Sequence, residues 1–248
     1  MTERDLSITV IGCSGTYSSS ASACSSYLLR HNDTAVLLDA GAGASMELQR
    51  HIALEDLDAI VVSHEHPDHW TELPVLYHAY RWGIGRPHMP VYGTAGTRDL
   101  LDAALPEATM YTFDWITIDQ RSELTFGDIT LRFSLTDHPV ETLAMLAEAD
   151  GRSIGYSADT GPAWSPEAFG RPIDTFIYEA SLAVDMEDRG IPHVSGREAG
   201  LRAAAADVGR LVLTHVPPGE DADARLADAE QVFDGPIEIA VPGMTISV

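Results

Sequence analysis

The sequence contains no lysine: its 15 basic residues are all arginines, against 38 acidic residues and a net charge of −23. Such acidity disfavours contact with nucleic acid or an anionic membrane. A protein that grips a long polyanion usually carries a basic stripe, and no segment of this sequence provides one. The charge therefore favours a small-molecule partner, although arginines distant in sequence can still cluster in the folded chain.

Cysteines and long hydrophobic runs are also scarce. Cys13 and Cys24 are the only two cysteines, which is too few for a disulfide framework, and their spacing fits no zinc motif. We expect both to be buried free thiols. No apolar run approaches the length of a membrane span, and "MTERDLSITV" lacks the apolar region of a signal peptide. These absences predict a cytoplasmic protein without a membrane partner.

The length and the 45% hydrophobic content predict one α/β domain over residues 1–248. Branched and aromatic residues favour strands at 7–12, 35–41, 58–63, 90–94, 128–135, 152–159, 175–181, 210–215 and 237–248. Helices are predicted at 44–52, 70–82 and 221–233, and from a capping box at Ser195 and Glu198 to a C-cap at Gly209.

The stretch "VVSHEHPDHW" places three histidines and an aspartate directly after an apolar run. It could form a solvated loop, one half of a zinc site or part of a two-metal centre. Positions i and i+2 of an extended segment project the same way, which pairs His64 with His66. A turn into a helix would direct Asp68 and His69 to a neighbouring point. The spacing therefore predicts two metals served by one loop.

The missing ligands are expected at the ends of later strands. His138, Asp159 and His215 each end a predicted strand and precede residues that break strands. Such edges commonly carry the sites of α/β sheets. Two aspartates and one hydroxide offset most of the charge of two divalent cations, and five neutral imidazoles complete the shell, which suits zinc, with manganese or iron as alternatives. Four other histidines are predicted to be structural or incidental: His31, His51, His78 and His88.

At this point the residues resemble a known family. "HEHPDH" is similar to the HxHxDH motif of the metallo-β-lactamase superfamily, and His138, Asp159 and His215 match its remaining metal positions. "IGCSGT", "VLLDAGAG", "GYSADTG", "EAS", "HVSGREAG" and "LVLTHVPP" resemble elements of the ribonuclease Z branch. The resemblance implies an αβ/βα sandwich of two mixed β-sheets flanked by helices, two metals at one edge, and a homodimer.

Two features depart from that branch. Tyr178 stands where the branch's His-Glu-Ala-Thr element begins with histidine. In addition, only "PVETLAMLAEADGRSIG" separates His138 from Tyr156, which is too short for the flexible arm of tRNA-processing members. The chain is therefore more similar to actinobacterial ribonuclease-Z-like proteins that include an atypical cyclic-nucleotide phosphodiesterase.

The function that this resemblance implies is hydrolysis of a phosphodiester, with small cyclic nucleotides such as cAMP as leading substrates. A tRNA 3′-end endonuclease is the first alternative, and a lactone or thioester hydrolase on the same metal centre is the next. A non-catalytic binding module is disfavoured because the sequence has a ligand residue at every metal position of the family. His64, His66 and His138 would hold one metal, and Asp68, His69 and His215 the other, with Asp159 shared.

Three residues are candidates for catalytic roles. Asp68 would orient the attacking hydroxide. His193 would protonate the leaving alkoxide, unless it has only a capping or packing role before Ser195. Glu179 would orient His193 or a metal-ligand histidine. The Gly/Ser segment "IGCSGTYSSS" would either contact substrate oxygens or form a plain turn.

Overall fold

The structure is a computed structural model that describes residues 5–248 and contains two β-sheets. Its strands are β1 Ser7–Ser14, β2 Ala23–Cys24, β3 Ser26–His31, β4 Thr34–Leu38, β5 Ala59–Val61, β6 Met89–Gly93, β7 Phe113–Thr117, β8 Glu123–Phe126, β9 Ile129–Leu135, β10 Leu143–Ala149, β11 Arg152–Tyr156, β12 Ile173–Glu179, β13 Val208–Thr214, β14 Ile237–Ile239 and β15 Thr245–Ser247. The first sheet has the order β15-β1-β3-β4-β5-β6-β7, with β2 beside β1, and the second has the order β14-β13-β12-β11-β10-β9-β8.

The helices cover the outer faces of the two sheets. They are α1 Ala44–Leu48, α2 Pro67–Trp70, α3 Leu73–His78, α4 Ala95–Ala104, α5 Glu107–Tyr111, α6 Gly196–Ala205 and α7 Ala222–Glu230. One apolar layer, with residues such as Val36 and Met145, fills the space between the sheets. Two further layers lie between each sheet and its helices. This arrangement confirms the predicted αβ/βα sandwich.

The central strands of both sheets are parallel. Strands β4 to β7 pair in parallel in the first sheet, and β11 to β14 do so in the second. Strands β4, β5, β11, β12 and β13 are mostly buried on both faces, as is usual for parallel strands covered by helices, whereas the edge strands β7 and β14 are more exposed. Because the carboxyl ends of parallel strands lie at one edge of a sheet, side chains that follow β4, β5, β11, β12 and β13 can meet there.

The predicted helix over 70–82 is broken. The structure has α2, then α3, and then a π-helix at Ala79–Ile84. Pro74 lies in the first turn of α3, as expected, because an amide donor there would have no intrahelical partner.

The predicted C-cap at Gly209 is wrong. The helix does begin with the capping box of Ser195 and Glu198, but it ends at Ala205. Gly209 lies in β13, where an added Cβ would come within 2.8 Å of the carbonyl oxygen of Asp174. That glycine permits close approach of two parallel strands.

The predicted strand over 237–248 is divided between the two sheets. Its first part, β14, pairs with β13, and its last part, β15, pairs antiparallel with β1. No element is predicted from the sequence at β2, β3, β7, β8, β10, α4 or α5. Cys24 is a buried free thiol as predicted, whereas the free thiol Cys13 is only partly buried. Among residues 5–248, no helix is both long and apolar enough to cross a membrane.

Candidate metal centre

The seven predicted metal ligands converge at the edge where these strands end. Potential ligand atoms within 4.8 Å of one another form one group from His64, His66, His138 and Asp159, and a second from Asp68, His69 and His215. The first group has the membership expected from the sequence. Asp159, which is expected in both groups, is not part of the second one and instead forms a third group with His193 and His215. No ligand group found among residues 5–248 includes the four histidines predicted to be incidental, His31, His51, His78 and His88.

Asp159 lies between the two groups. Its Oδ2 is 3.7 Å from His64 Nε2 and 4.0 Å from His138 Nε2. Its Oδ1 is 3.1 Å from His69 Nε2 and 3.3 Å from His215 Nε2. One carboxylate thus faces both groups, with a different oxygen toward each.

Several buried polar atoms at this edge have no satisfactory protein partner. His64 Nε2 and Asp159 Oδ1 lack a hydrogen bond of acceptable geometry within the described chain. Leaving such atoms buried is costly. Converging imidazole nitrogens and carboxylate oxygens form the donor set that zinc and similar divalent cations prefer. The residues present therefore fit divalent metals.

Asp39 controls the orientation of the first histidines. This buried carboxylate follows β4 and accepts hydrogen bonds from His69 Nδ1 at 2.7 Å, Tyr156 Oη at 2.7 Å and Ser63 Oγ at 2.9 Å. Because the single Ser63 hydroxyl proton goes to Asp39, Ser63 Oγ accepts from His64 Nδ1, 2.9 Å away. His64 and His69 therefore both turn Nε2 toward the centre.

Glu179 has the same arrangement at the end of β12. The buried carboxylate accepts from His193 Nδ1 at 2.9 Å, Ser181 Oγ at 2.8 Å and the Thr160 amide at 2.7 Å. Ser181 Oγ also lies 3.1 Å from the His215 carbonyl, but the carboxylate is closer and charged. The hydroxyl oxygen then accepts from His215 Nδ1, 3.0 Å away. His215 therefore presents Nε2 to the centre.

His138 and His66 complete the first group with different nitrogens. His138 Nδ1 donates to the carbonyl of Pro192 at 3.1 Å. Its Nε2 lies 3.1 Å from His66 Nδ1. The first group is therefore formed by Nε2 of His138 and Nδ1 of His66, together with His64 and Asp159.

The pKa shifts follow from burial and from these partners. Burial, reinforced by the neighbouring histidines, holds the pKa of His64 well below its ordinary value. Burial also acts to lower the pKa of His69, but the carboxylates of Asp159 and Asp39 outweigh it and raise that pKa well above the ordinary value. A metal that binds the second group must therefore displace a proton.

His193 lies close to both groups and, like His66 and His138, is only partly buried. Its side chain is 23% exposed, and its ring stacks on that of His215 with centroids 5.8 Å apart. Burial acts to lower its pKa, but the charge and hydrogen bond of Glu179 raise it to about 9. Because Nδ1 donates to Glu179, the exchangeable proton of the imidazolium is at Nε2.

The Gly/Ser loop after β1 contacts residues of the second ligand group. The Thr16 amide donates to Asp68 Oδ2 at 2.7 Å. A Cβ on Gly15 would lie 2.4 Å from the His215 carbonyl oxygen, so only glycine permits this approach. This loop amide thus contacts a ligand carboxylate, a role that neither alternative for the segment anticipated.

Tyr178, the departure from the branch pattern, lies away from the centre. Alternation along β12 directs Glu179 to the metal edge and Tyr178 into the helix-covered layer, where it packs near Trp164 and Phe176. The substitution therefore changes packing and does not remove a ligand.

The sequence analysis missed four residues that orient the ligands: Asp39, Ser63, Tyr156 and Ser181. One signal was present for Asp39, which ends the apolar run "AVLLD" as Asp159 follows "GYSA". An aspartate at the end of a fully buried strand is a candidate for the same edge as the predicted ligands. No comparable signal marks the two serines.

Both the sequence and the fold are similar to those of known proteins. A family model described as "Beta-lactamase superfamily domain" matches residues 34–216. The chain is 34% identical over 251 residues to the protein Rv1339 of Mycobacterium tuberculosis, covering 97% of this chain and 92% of the relative. It is 28% identical over 270 residues to a ribonuclease Z of Mycobacterium bovis, covering 94% and 95%.

A further relative has both a curated sequence and a solved structure. The probable metallo-hydrolase YhfI of Bacillus subtilis is 31% identical over 246 residues, covering 96% of this chain and 98% of the relative. The crystal structure of this metallo-β-lactamase fold protein superposes with a TM-score of 0.90 at 28% identity, over 98% of this chain and 100% of that one.

Proposed function

The chain belongs to the β-lactamase superfamily and is a metal-dependent hydrolase, and from this premise we propose that it hydrolyses small phosphodiesters, with cyclic nucleotides as leading substrates. The observation that carries the proposal is the His193–Glu179 pair beside the two ligand groups, with 2.9 Å between His193 Nδ1 and Glu179 Oε1. It provides a proton donor where an alkoxide would leave.

The proposed metal ligands are those of the two groups. His64, His66 and His138 would hold one divalent cation and Asp68, His69 and His215 the other, with Asp159 shared between them. The chemistry that two such cations supply is activation of a water and neutralisation of charge on the phosphoryl oxygens. We assign zinc because the ligands are mainly imidazole.

Asp68 orients the attacking water in this proposal. Burial acts to raise its pKa, but the hydrogen bond from His215 and the charges of His69 and His215 hold that pKa below the ordinary value. Its Oδ2 is fixed by the Thr16 amide and lies 3.2 Å from His215 Nε2. A carboxylate that stays ionised and fixed can accept a hydrogen bond from water in one geometry.

His193 donates a proton from Nε2 to the leaving oxygen. Glu179 holds Nδ1, so the ring cannot rotate without breaking a charge-assisted hydrogen bond. An alkoxide leaving group requires this proton far more than an aryl oxide does, because an alcohol is a much weaker acid than a phenol. Comparing the hydrolysis of an alkyl diester with that of an aryl diester therefore tests the role of His193 as proton donor.

A tRNA 3′-end endonuclease remains the second candidate because of the likeness to a ribonuclease Z. The charge distribution supports the small substrate instead. Many arginines already form ion pairs with Asp or Glu, which offsets their positive charge. They are Arg50, Arg98, Arg132, Arg152, Arg171, Arg197, Arg210 and Arg225. Screening acts over about 8 Å, so distant carboxylates hardly affect a small phosphate, whereas a tRNA meets the acidic surface over a much longer span.

The test offers zinc-loaded protein four substrates: bis(p-nitrophenyl) phosphate, cAMP, a 3′-extended tRNA precursor and an acyl-homoserine lactone. We expect hydrolysis of the aryl diester and of the cyclic nucleotide. Cleavage of the tRNA precursor with much higher kcat/KM than cAMP would favour the endonuclease. Cleavage of the lactone alone would refute the phosphodiesterase.

A further inference from the structure

A cavity of about 280 Å³ opens beside His193. His193 itself lines it, and so does Asp137, the residue before the ligand His138. Complete ligand sites usually measure about 300–1,000 Å³. This cavity therefore has room for one ring system of a substrate whose phosphate lies on the metal groups.

The position of His193 tells which part of the substrate faces the cavity. In the proposed reaction His193 protonates the leaving oxygen, so the group attached to that oxygen lies on the His193 side. In a 3′,5′-cyclic nucleotide the leaving oxygen belongs to the ribose that carries the base. The cavity is therefore placed to receive the nucleobase.

The cavity walls are apolar and carry hydrogen-bond acceptors. Five of the lining side chains are apolar: Pro162, Leu182, Met186, Ile191 and Pro192. Four are carboxylates, Asp137, Glu187, Asp188 and Glu198, and no arginine is among the lining residues that the structure describes. Such walls suit a flat ring that presents N–H donors at its edge and disfavour one that presents only carbonyl oxygens there.

Not all four carboxylates are free to bind a ligand. Glu187 is held by the Ser195 hydroxyl and by Arg197. Asp137 accepts from the Ala163 amide through Oδ2, and Glu198 accepts from the Ser195 amide through Oε2. The second oxygen of each, and the exposed carboxylate of Asp188, are the acceptors that remain.

We propose that this cavity is the base pocket of the enzyme and that its carboxylates recognise the exocyclic amine of a purine. The inference rests on the proposed phosphodiesterase function. It specifies a purine cyclic nucleotide with an amine, adenine or guanine, and disfavours purines that lack one.

Two substrate pairs differ only by the amine: cAMP and the 3′,5′-cyclic phosphate of unsubstituted purine riboside, and cGMP and cIMP. In the series that the zinc-loaded enzyme prefers, loss of the amine should lower kcat/KM about tenfold or more, as expected for a hydrogen bond to a charged group. The change should appear mainly in KM, because the base is bound equally in the ground and transition states.

Amide variants of the three available carboxylates test the pocket itself. Glu198→Gln keeps a residue suited to a capping box, Asp188→Asn suits the positive φ of 60° at that position, and Asp137→Asn keeps an acceptor for the Ala163 amide. Because a hydrogen bond to a charged group is roughly twice as strong as a neutral one, at least one variant should reduce the tenfold preference to about threefold. The control is Asp185→Asn, an exposed neighbour that does not line the cavity, and it should leave the preference unchanged.

The outcomes separate this inference from the proposed function. If bis(p-nitrophenyl) phosphate and cyclic nucleotides are cleaved but the amine changes kcat/KM less than twofold, the base pocket is refuted and the phosphodiesterase stands. An unchanged preference in all three amide variants also refutes it, as does faster cleavage of glycerophosphocholine than of any nucleotide. If no phosphodiester is cleaved, the proposed function fails.

Discussion

The centre has two sides, one around Asp39 with His64 and His69 and one around Glu179 with His193 and His215. The same hydrogen-bond arrangement serves a different role on each side. Each has a buried carboxylate that binds one histidine directly and a second one through a serine hydroxyl. On the Asp39 side both histidines, His69 and His64, face the metal positions. On the Glu179 side His215, the histidine behind the serine, belongs to the second group, while His193 lies within 4.8 Å of Asp159 and His215. In the proposed mechanism one arrangement therefore serves metal binding alone, and the other also holds the proton donor.

The two sides also differ in access to solvent. His64 and His69 are completely buried, and Tyr156 covers Asp39 with a hydrogen bond of 2.7 Å. His193 is partly exposed and borders a cavity. A proton can therefore exchange with solvent or substrate on the Glu179 side, whereas the Asp39 side is closed.

The largest effect is expected at Asp159, which faces both ligand groups. Asp159→Asn leaves both ligand groups with a neutral donor in place of a carboxylate. Activity on bis(p-nitrophenyl) phosphate should fall by more than the roughly 100-fold that loss of an outer partner can cost, and zinc analysis should find fewer than two equivalents. Two tightly bound equivalents with near-normal activity would contradict the shared role.

His193→Ala should separate the two functions of the Glu179 side. Hydrolysis of an alkyl diester should fall by about 10²- to 10⁴-fold, as expected for loss of a general acid. The aryl diester should lose much less, because p-nitrophenolate leaves without protonation, and zinc content should be unchanged. An equal loss on both substrates would leave His193 with a structural role only.

Asp39→Asn and Glu179→Gln compare the two carboxylates directly. Asp39→Asn should weaken zinc binding by about 10- to 100-fold, measured by competition with a chromogenic chelator, and should affect aryl and alkyl diesters alike. Glu179→Gln should weaken zinc binding less and slow the alkyl diester more than the aryl one. The same leaving-group ratio in both variants would refute the division of roles. Glu167→Gln serves as the control, because Glu167 is exposed and its side chain contacts Ser165 instead of the centre.

The smallest effects are expected from the serines. Ser63→Ala and Ser181→Ala each remove one hydroxyl, which should cost about 1 kcal/mol of unfolding free energy and up to about tenfold in zinc affinity. Neither should change the aryl-to-alkyl ratio, since Glu179 holds His193 without Ser181. A changed ratio in Ser181→Ala would mean that the serine also positions the proton donor.

The ligands could be predicted from the sequence because each carries a local signal. Four lie within six residues, and His138, Asp159 and His215 follow apolar runs whose carboxyl ends meet at one edge. Asp39 and Ser63 meet for another reason: β4 and β5 pair with Leu38 opposite Val61, which brings the residues that follow them together. Strand register arises from tertiary pairing, so this contact has no counterpart in the linear pattern.

The errors in element boundaries have a similar cause. Gly209 satisfies the rule for a helix C-cap, yet the close approach of β12 and β13 places it inside a strand. Tyr178 suggested a change in the chemistry of the site, but the alternation along β12 turns it away from the centre. In both cases the role of the residue is determined by the strand or side chains that pack against it, and the sequence does not show these neighbours.

The most direct test of the central claim is a zinc titration of chelator-treated protein, with hydrolysis of bis(p-nitrophenyl) phosphate followed at each step. Two ligand groups joined by Asp159 predict little activity at one equivalent of bound zinc and full activity at two. Full activity at one equivalent, or none at two, would contradict a two-metal phosphodiesterase.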